Sequence, residues 1–395
     1  MGRPGPSVAN GSGSVLRPLS RLLVFAPTRR AATETFVRAN LRGLPFAITA
    51  VFGDERPLRH PLRLAYGLAV LVSKGLTRVG WLRLAALPAS LVALLWIRRC
   101  RPQLLLAEFG FHAVRVMQAA AWSGLPLVVH FRGSDTSSVA KFQRLLPAYK
   151  RLLPRCAAVI VKSEPMRRTL LELGVSPDRI LISPSGADAG RFHGADPAAA
   201  PPLFLTVGRF VAKKGPLHTI RAFAHMRERW PETRSAELLM VGNGPLLNKS
   251  QTLTRELGLD RVIRFVGVQS PDQIAELMRG ARAFLQHSLV APDGDSEGSP
   301  VAVMEAQLSG LPVVATRHAG IPEVVLDCRT GLLVEEGDVE AMAEAMQQLV
   351  VDPSRAARLG AAGRRRIETA FTVDHHLAAV SALLNRVASG RGVME

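Results

Sequence analysis

Short apolar runs bounded by Gly, Pro or Asn alternate along this chain with longer segments of helical period, and this alternation constrains the fold most. Six runs lie in the first half, at Arg21–Ala26, Phe46–Phe52, Gln103–Ala107, Pro126–Phe131, Ala157–Val161 and Ile180–Ser183. Six more follow at Leu203–Val207, Glu237–Val241, Val262–Gly267, Arg282–Gln286, Pro312–Thr316 and Gly331–Val334. Each fits a parallel strand buried on both faces, and segments such as Leu217–Arg229 and Val339–Val351 fit the helices between. The pattern predicts an α/β protein with doubly wound parallel sheets, and two series predict two sheets.

The join between them falls in Ala187–Pro202, where Ala, Gly and Pro replace any periodicity. The expected division is a disordered tail at 1–20, a first domain at 21–190 and a second at 203–370. A closing helix near 373–389 has no strand after it and is expected to cross back and brace the first domain.

Composition narrows the classes. Three cysteines (Cys100, Cys156, Cys328) without a CxxC exclude a disulfide framework and a zinc finger, and fit a reducing cytoplasm. The net charge of +18 belongs wholly to the first half: residues 1–200 hold 28 basic and 10 acidic side chains, residues 201–395 hold 22 of each. One half therefore suits a polyanion or an anionic membrane surface. The uncharged run Leu84–Ile97 is too short for a bilayer core of about 30 Å and contains Pro88. A soluble or peripheral cytoplasmic protein is expected.

In open α/β sheets, ligands gather at the carboxyl ends of strands, so motifs just after strands carry the chemistry. The densest runs from Gly294 through Glu297, Gly298, Ser299 and Pro300 to Glu305. Ser299 and Pro300 read as N-cap and first turn of a helix ending near Ser309, with Glu297 in the loop ahead and Glu305 in the second turn. Carboxylates there could accept hydrogen bonds from sugar or ribose hydroxyls, or could simply be solvated. Arg209 and Lys214, after Leu203–Val207, offer a fork and a point charge suited to a diphosphate. They could equally form a solvated basic loop. Gly242-Asn243-Gly244 is a turn whose backbone could approach a nucleotide.

In the first half, His130 and Asp135 follow the strand Pro126–Phe131. His130 could meet a sugar hydroxyl, or be a satisfied core histidine. Thr33 and Glu34 sit between the first strand and its helix, where small residues would admit a phosphate. Residues Leu62–Arg101 mix Arg and Lys with Leu, Val, Trp81 and Trp96. They read either as an amphipathic helix in a lipid interface or as a core helix with snorkelling arginines.

The spacing Glu297-x7-Glu305 with the run Gly310–Glu323 behind it resembles the retaining glycosyltransferases of family four, above all bacterial exopolysaccharide enzymes of the colanic acid and amylovoran type. Thr33–Phe36, Glu108–Gly110, His130–Asp135, Ser185–Asp188 and Ala291–Asp295 belong to the same likeness, which covers residues 21 to 350. It implies a GT-B fold, two Rossmann-like domains facing a cleft, with the acceptor on the first and a nucleotide sugar on the second. By similarity, Arg209 and Lys214 hold the diphosphate, Glu305 the ribose and Glu297 the donor sugar. Gly242, Asn243, Gly244, Gly298, Ser299 and Pro300 complete the donor side. His130, beside the reacting centre, joins Thr33, Glu34 and Asp135 on the acceptor side. The implied reaction needs no cofactor and no metal, with UDP-sugars placed ahead of GDP-sugars, and Asp293-Gly294-Asp295 is then a decoy of the metal-binding Asp-x-Asp.

The acceptor implied is a glycan or a polyprenyl-diphosphate-linked glycan. A nucleic-acid partner is not expected, since the chain has two Tyr and no basic strip interleaved with aromatics. The alternatives on the same fold are a sugar-nucleotide epimerase and a non-catalytic nucleotide-sugar binding module.

Overall fold

A computed structural model describes residues 20–29, 35–136 and 139–390. The expected tail, except Ser20, lies outside them, as do Thr33 and Glu34. Twelve strands form among the described residues. β1 (Arg21–Ala26), β2 (Ala47–Phe52), β3 (Leu104–Glu108), β4 (Leu127–His130), β5 (Ala158–Val161) and β6 (Ile180–Ile182) make one sheet. β7 (Leu203–Val207), β8 (Glu237–Val241), β9 (Ile263–Phe265), β10 (Ala283–Gln286), β11 (Val313–Thr316) and β12 (Gly331–Val334) make the other. All pairings are parallel.

The first sheet runs β2-β1-β3-β4-β5-β6 and the second β12-β11-β10-β7-β8-β9. The second is the Rossmann order, and its direction of winding reverses between β7 and β10. A crevice opens at such a reversal, outside the carboxyl ends of the two central strands.

Each sheet is covered on both faces. In the first, Leu23, Phe25, Leu105, Ala107 and Val129 pack under α2 (Pro61–Arg78), α3 (Leu87–Cys100) and α4 (Gly110–Ser123). Alternate residues Leu22, Val24, Leu104, Leu106 and Val128 face the other way, onto Val380, Leu383 and Leu384 of the C-terminal helix Val373–Ala388. That helix thus belongs to the first domain's core although it follows the second domain in sequence. The stretch 62–101 is two helices broken at Val79–Arg83, where a single one was expected. Their inner faces, with Tyr66, Val70, Ala93 and Trp96, are core.

The chain crosses between domains twice, side by side. The Ala187 N–H donates to the Phe371 carbonyl at 2.9 Å and the Val373 N–H to the Ala187 carbonyl at 3.0 Å. Gly186 adopts φ +74°, and a Cβ there would lie 2.4 Å from the Thr372 carbonyl, so only glycine fits the crossing.

Candidate functional site

The β7–β10 reversal collects the charged residues. After β7, a short turn presents Lys213 and Lys214; after β10, the loop through Asp293 to Pro300 returns over them. Lys213 Nζ lies 3.0 Å from Asp295 Oδ1 and donates to the Ser296 carbonyl at 3.0 Å. Lys214 Nζ lies 2.5 Å from Glu297 Oε2. Burial would raise the Glu297 carboxyl, but Lys214 and Lys213 outweigh it and hold the group below its ordinary value, as a carboxylate. Arg209 is exposed and has no ion-pair partner among the described residues.

A second pair fixes the loop from behind. His318 Nδ1 lies 2.6 Å from Glu336 Oε1, so Nδ1 carries the proton and Nε2 accepts the Glu297 N–H at 3.0 Å. The other Glu336 oxygen accepts the Val290 N–H at 2.8 Å. Lys213, His318 and Glu336 were not singled out in the sequence. Lys213 is the neighbour of a chosen lysine, and His318 follows a strand end, which is the only local signal either carries.

The helix Val301–Ser309 begins one residue later than expected. Pro300 takes the N-cap position, and the Ser299 hydroxyl instead accepts the Ser185 N–H at 3.2 Å, from the join. Capping is local, and here a tertiary partner competed for the side chain. Glu305 stands in the second turn, partly buried beside Arg191 and Asp188, and burial pushes its carboxyl up to about 8. It lines a cavity of about 490 Å³ with Phe36 and Arg42 of α1 (Thr35–Gly43), Ser185–Phe192 and Val301.

Gly242-Asn243-Gly244 is tied mostly to its own domain. The Gly242 N–H donates to the Gly267 carbonyl at 2.8 Å, and the Asn243 carbonyl accepts the Phe210 N–H at 3.0 Å. Asn243 Oδ1 accepts the Gly244 N–H at 2.7 Å. The turn braces the Arg209 loop. In Asp293-Gly294-Asp295, Asp293 Oδ1 accepts the Asp295 N–H at 3.1 Å, and Asp295 pairs with Lys213. Both carboxylates have partners within the fold.

Gly298 meets the first domain. A Cβ on it would lie 2.8 Å from the Gly133 Cα, so the two backbones touch where glycine faces glycine. This places the carboxyl ends of the two sheets opposite each other, with a cavity of about 80 Å³ between Gly133, Ser163, Met166 and Glu297.

His130 requires correction. Strand parity points it, with its register partner Glu108, onto the face covered by the C-terminal helix. It is wholly buried, its Nδ1 3.2 Å from an Arg132 nitrogen and 3.3 Å from Glu108 Oε2, with the His376 ring 5.6 Å away. Arg132 donates to Glu108 at 2.6 Å, Asn40 donates to Glu108 at 2.7 Å, and His376 bridges Asn40 and Ser183 at 3.0 and 2.6 Å. Burial, Arg132 and Lys162 hold His130 well below its ordinary range. It therefore stands behind the cleft wall as a neutral core residue. Asp135 is also buried and accepts the Arg132 N–H at 2.9 Å, fixing the turn that offers Gly133 to Gly298.

Residues 195–366 match the family described as glycosyl transferases group 1, and residues 42–191 match Glycosyltransferase Family 4. A Salmonella typhimurium protein bearing the name of a colanic acid biosynthesis glycosyltransferase is 34% identical over 54% of this chain and 52% of its own length. The chain thus matches about half the length of that relative. A GDP-mannose-dependent alpha-(1-6)-phosphatidylinositol monomannoside mannosyltransferase of Mycolicibacterium smegmatis is 30% identical over 87% of this chain and 84% of its own. Among solved structures, Anabaena HepE in complex with UDP-glucose superposes with TM-score 0.69 at 16% identity, covering 92% of this chain and 99% of that one. The fold is the two-domain GT-B arrangement.

Proposed function

Because this chain belongs to the group 1, family 4 glycosyltransferases, we propose that it moves a sugar from a nucleotide diphosphate to a hydroxyl of a glycan or lipid-linked glycan, with retention at the anomeric carbon. The relatives' names favour surface polysaccharide or glycolipid synthesis as the setting. The observation that carries the reading is the charge set at the β7–β10 reversal. Three cations, Arg209, Lys213 and Lys214, stand against two carboxylates, Asp295 and Glu297, and among the described residues the exposed Arg209 has no ion-pair partner.

The chemical problem is departure of a diphosphate while positive charge grows on the sugar ring. Arg209 and Lys214, together with the amino end of the helix Val301–Ser309, would stabilise the leaving oxygens electrostatically. Glu297 stays ionised beside Lys214, suited to accept hydrogen bonds from the donor sugar's hydroxyls. No carboxylate is assigned as nucleophile: the departing phosphate oxygen takes the acceptor's proton on the same face, which gives retention. Glu305 in its cavity binds the ribose hydroxyls.

One relative is named for GDP-mannose and one neighbour was solved with UDP-glucose, so the base is to be read by titration, beginning with UDP. Calorimetric titration with UDP, GDP and ADP, with a chelator present, is expected to show binding of one nucleotide that Glu305→Ala abolishes. Binding of none, by folded protein, would remove the donor-site reading. Binding that needs a divalent ion would replace the metal-free one.

A further inference from the structure

From residue 56 through residue 107 the chain has nine Lys and Arg and no acidic residue. The structure shows where that stretch faces. α2 and α3 lie side by side on one face of the first sheet, their inner sides in the core. Their outer sides are apolar at helical spacing: Leu68, Leu71, Val72 and Val79 along and just beyond α2, Leu91 and Leu95 along α3. Trp81, 60% exposed, and Leu84 fill the turn between the helices, and Leu58, 83% exposed, stands just ahead of α2. Most of the large apolar side chains that the described surface exposes fall in this one segment. Single exposed leucines need no explanation, but a contiguous set on adjacent helices marks a contact surface.

The rim of that surface is cationic. Arg78, Arg83, Arg98 and Arg99 are exposed and have no ion-pair partner among the described residues; Lys74 is paired with Asp54. Arg151, at the end of the helix Val139–Leu152, lies near Arg83 and near Arg155, which extends the positive field beyond α2 and α3. No helix among the described residues is long and apolar enough to cross a membrane.

We propose that the outer faces of α2 and α3, with Trp81 between them, form a docking surface for an anionic lipid bilayer. Leucines and tryptophan enter the acyl boundary while the arginines meet phosphate headgroups. A second copy of this chain is the poorer occupant, because self-pairing would set one unneutralised cationic rim against another. Leu58 and Arg59 follow the carboxyl end of β2, so the surface reaches the edge of the sheet that faces the other domain. An acceptor carried on a lipid would approach from that edge.

The test is sedimentation of the full chain with vesicles of phosphatidylcholine, with or without phosphatidylglycerol at about a third of the lipid. Pelleting is expected with the anionic vesicles at low salt, and release as salt rises. The pair Leu71→Glu and Leu95→Glu should weaken binding by roughly tenfold or more. Replacing Arg78, Arg83 and Arg98 by Gln should weaken it by about fivefold per residue and flatten the salt dependence. All five positions are exposed, so circular dichroism should be unchanged. Vesicle binding is read without turnover, so its failure leaves the transfer reading untouched. No pelleting by folded protein, or pelleting that the leucine pair leaves unchanged, would overturn the proposal. So would a dimer in analytical ultracentrifugation that the leucine pair converts to monomer, with no lipid binding.

Discussion

Two clusters of charge stand opposite each other at the carboxyl ends of the two sheets, and they are built for different ends. In the first domain, Glu108, His130 and Arg132 are buried and bonded to one another, with Asn40 and His376 closing the set from two helices. In the second, Lys214 and Glu297 form a pair near an open crevice, Arg209 beside them is exposed, and His318 and Glu336 hold the loop from behind. The first cluster ties elements together. The second leaves charge to meet a ligand. The two places differ in chemistry because the C-terminal helix seals the first behind its sheet, while in the second the loop through Asp293 to Pro300 covers Lys213 and Glu297 and leaves Arg209 exposed.

Substitutions should separate the two. The largest effect on turnover is expected at Arg209 and Lys214. Changing either to Ala should lower kcat by on the order of 10²-fold or more, and Arg209→Ala should leave the thermal midpoint where it is. Near wild-type rates would remove both from the mechanism. The mirror case is Glu108→Ala, which removes the carboxylate that the buried Arg132 donates to. A loss of about 3–5 kcal/mol is expected in urea unfolding, and unaltered stability would show that the cluster bears no weight in the fold.

His318→Ala tests the boundary between the clusters' roles. Both its ring nitrogens are bonded within the fold, to the Glu297 N–H and to Glu336, so it positions and does not react. Turnover should fall by roughly tenfold while nucleotide affinity holds within about twofold. His318→Gln, which can still accept from the Glu297 N–H, should recover part of the rate. A loss of affinity equal to the loss of rate would give His318 a direct ligand role.

The smallest effect is on the pH dependence of stability, where the first cluster's histidines and Glu305, in the neighbouring cavity, have opposite signs. Burial, with Arg132 and Lys162 for His130 and Lys162 for His376, holds both imidazoles well below their ordinary range. The folded chain then binds fewer protons than the unfolded one, so this stability is complete above about pH 6.5 and declines as pH falls below it. Glu305, pushed up to about 8 by burial, binds an extra proton when folded. Its contribution is lost as pH rises towards that value. Urea midpoints between about pH 5.5 and about pH 7.5 should therefore depend less steeply on pH in His376→Asn and more steeply in Glu305→Gln. Identical slopes in all three proteins would refute both assignments.

The sequence alone determined the strands and the place of the charges that gather after β7 and β10. β1, β7, β8 and β12 begin and end where the apolar runs do, and the other eight agree within two residues at either end, because a strand buried on both faces must be continuously apolar whatever surrounds it. Arg209, Lys214, Glu297 and Glu305 were found because ligands collect after strands, a rule that needs only strand order and direction. The tertiary structure decided what distant segments do to those positions. It placed His376 over His130, 246 residues earlier, converting a residue expected in the cleft into a core residue. It drew Ser299 to the Ser185 backbone and set His318 behind Glu297. It also split Leu62–Arg101 into two helices whose inner faces are core and whose outer faces are bare. Local pattern fixes which groups a segment offers, and burial by a remote segment fixes whether a group is neutral or charged, paired or free, since both depend on how much water remains around it.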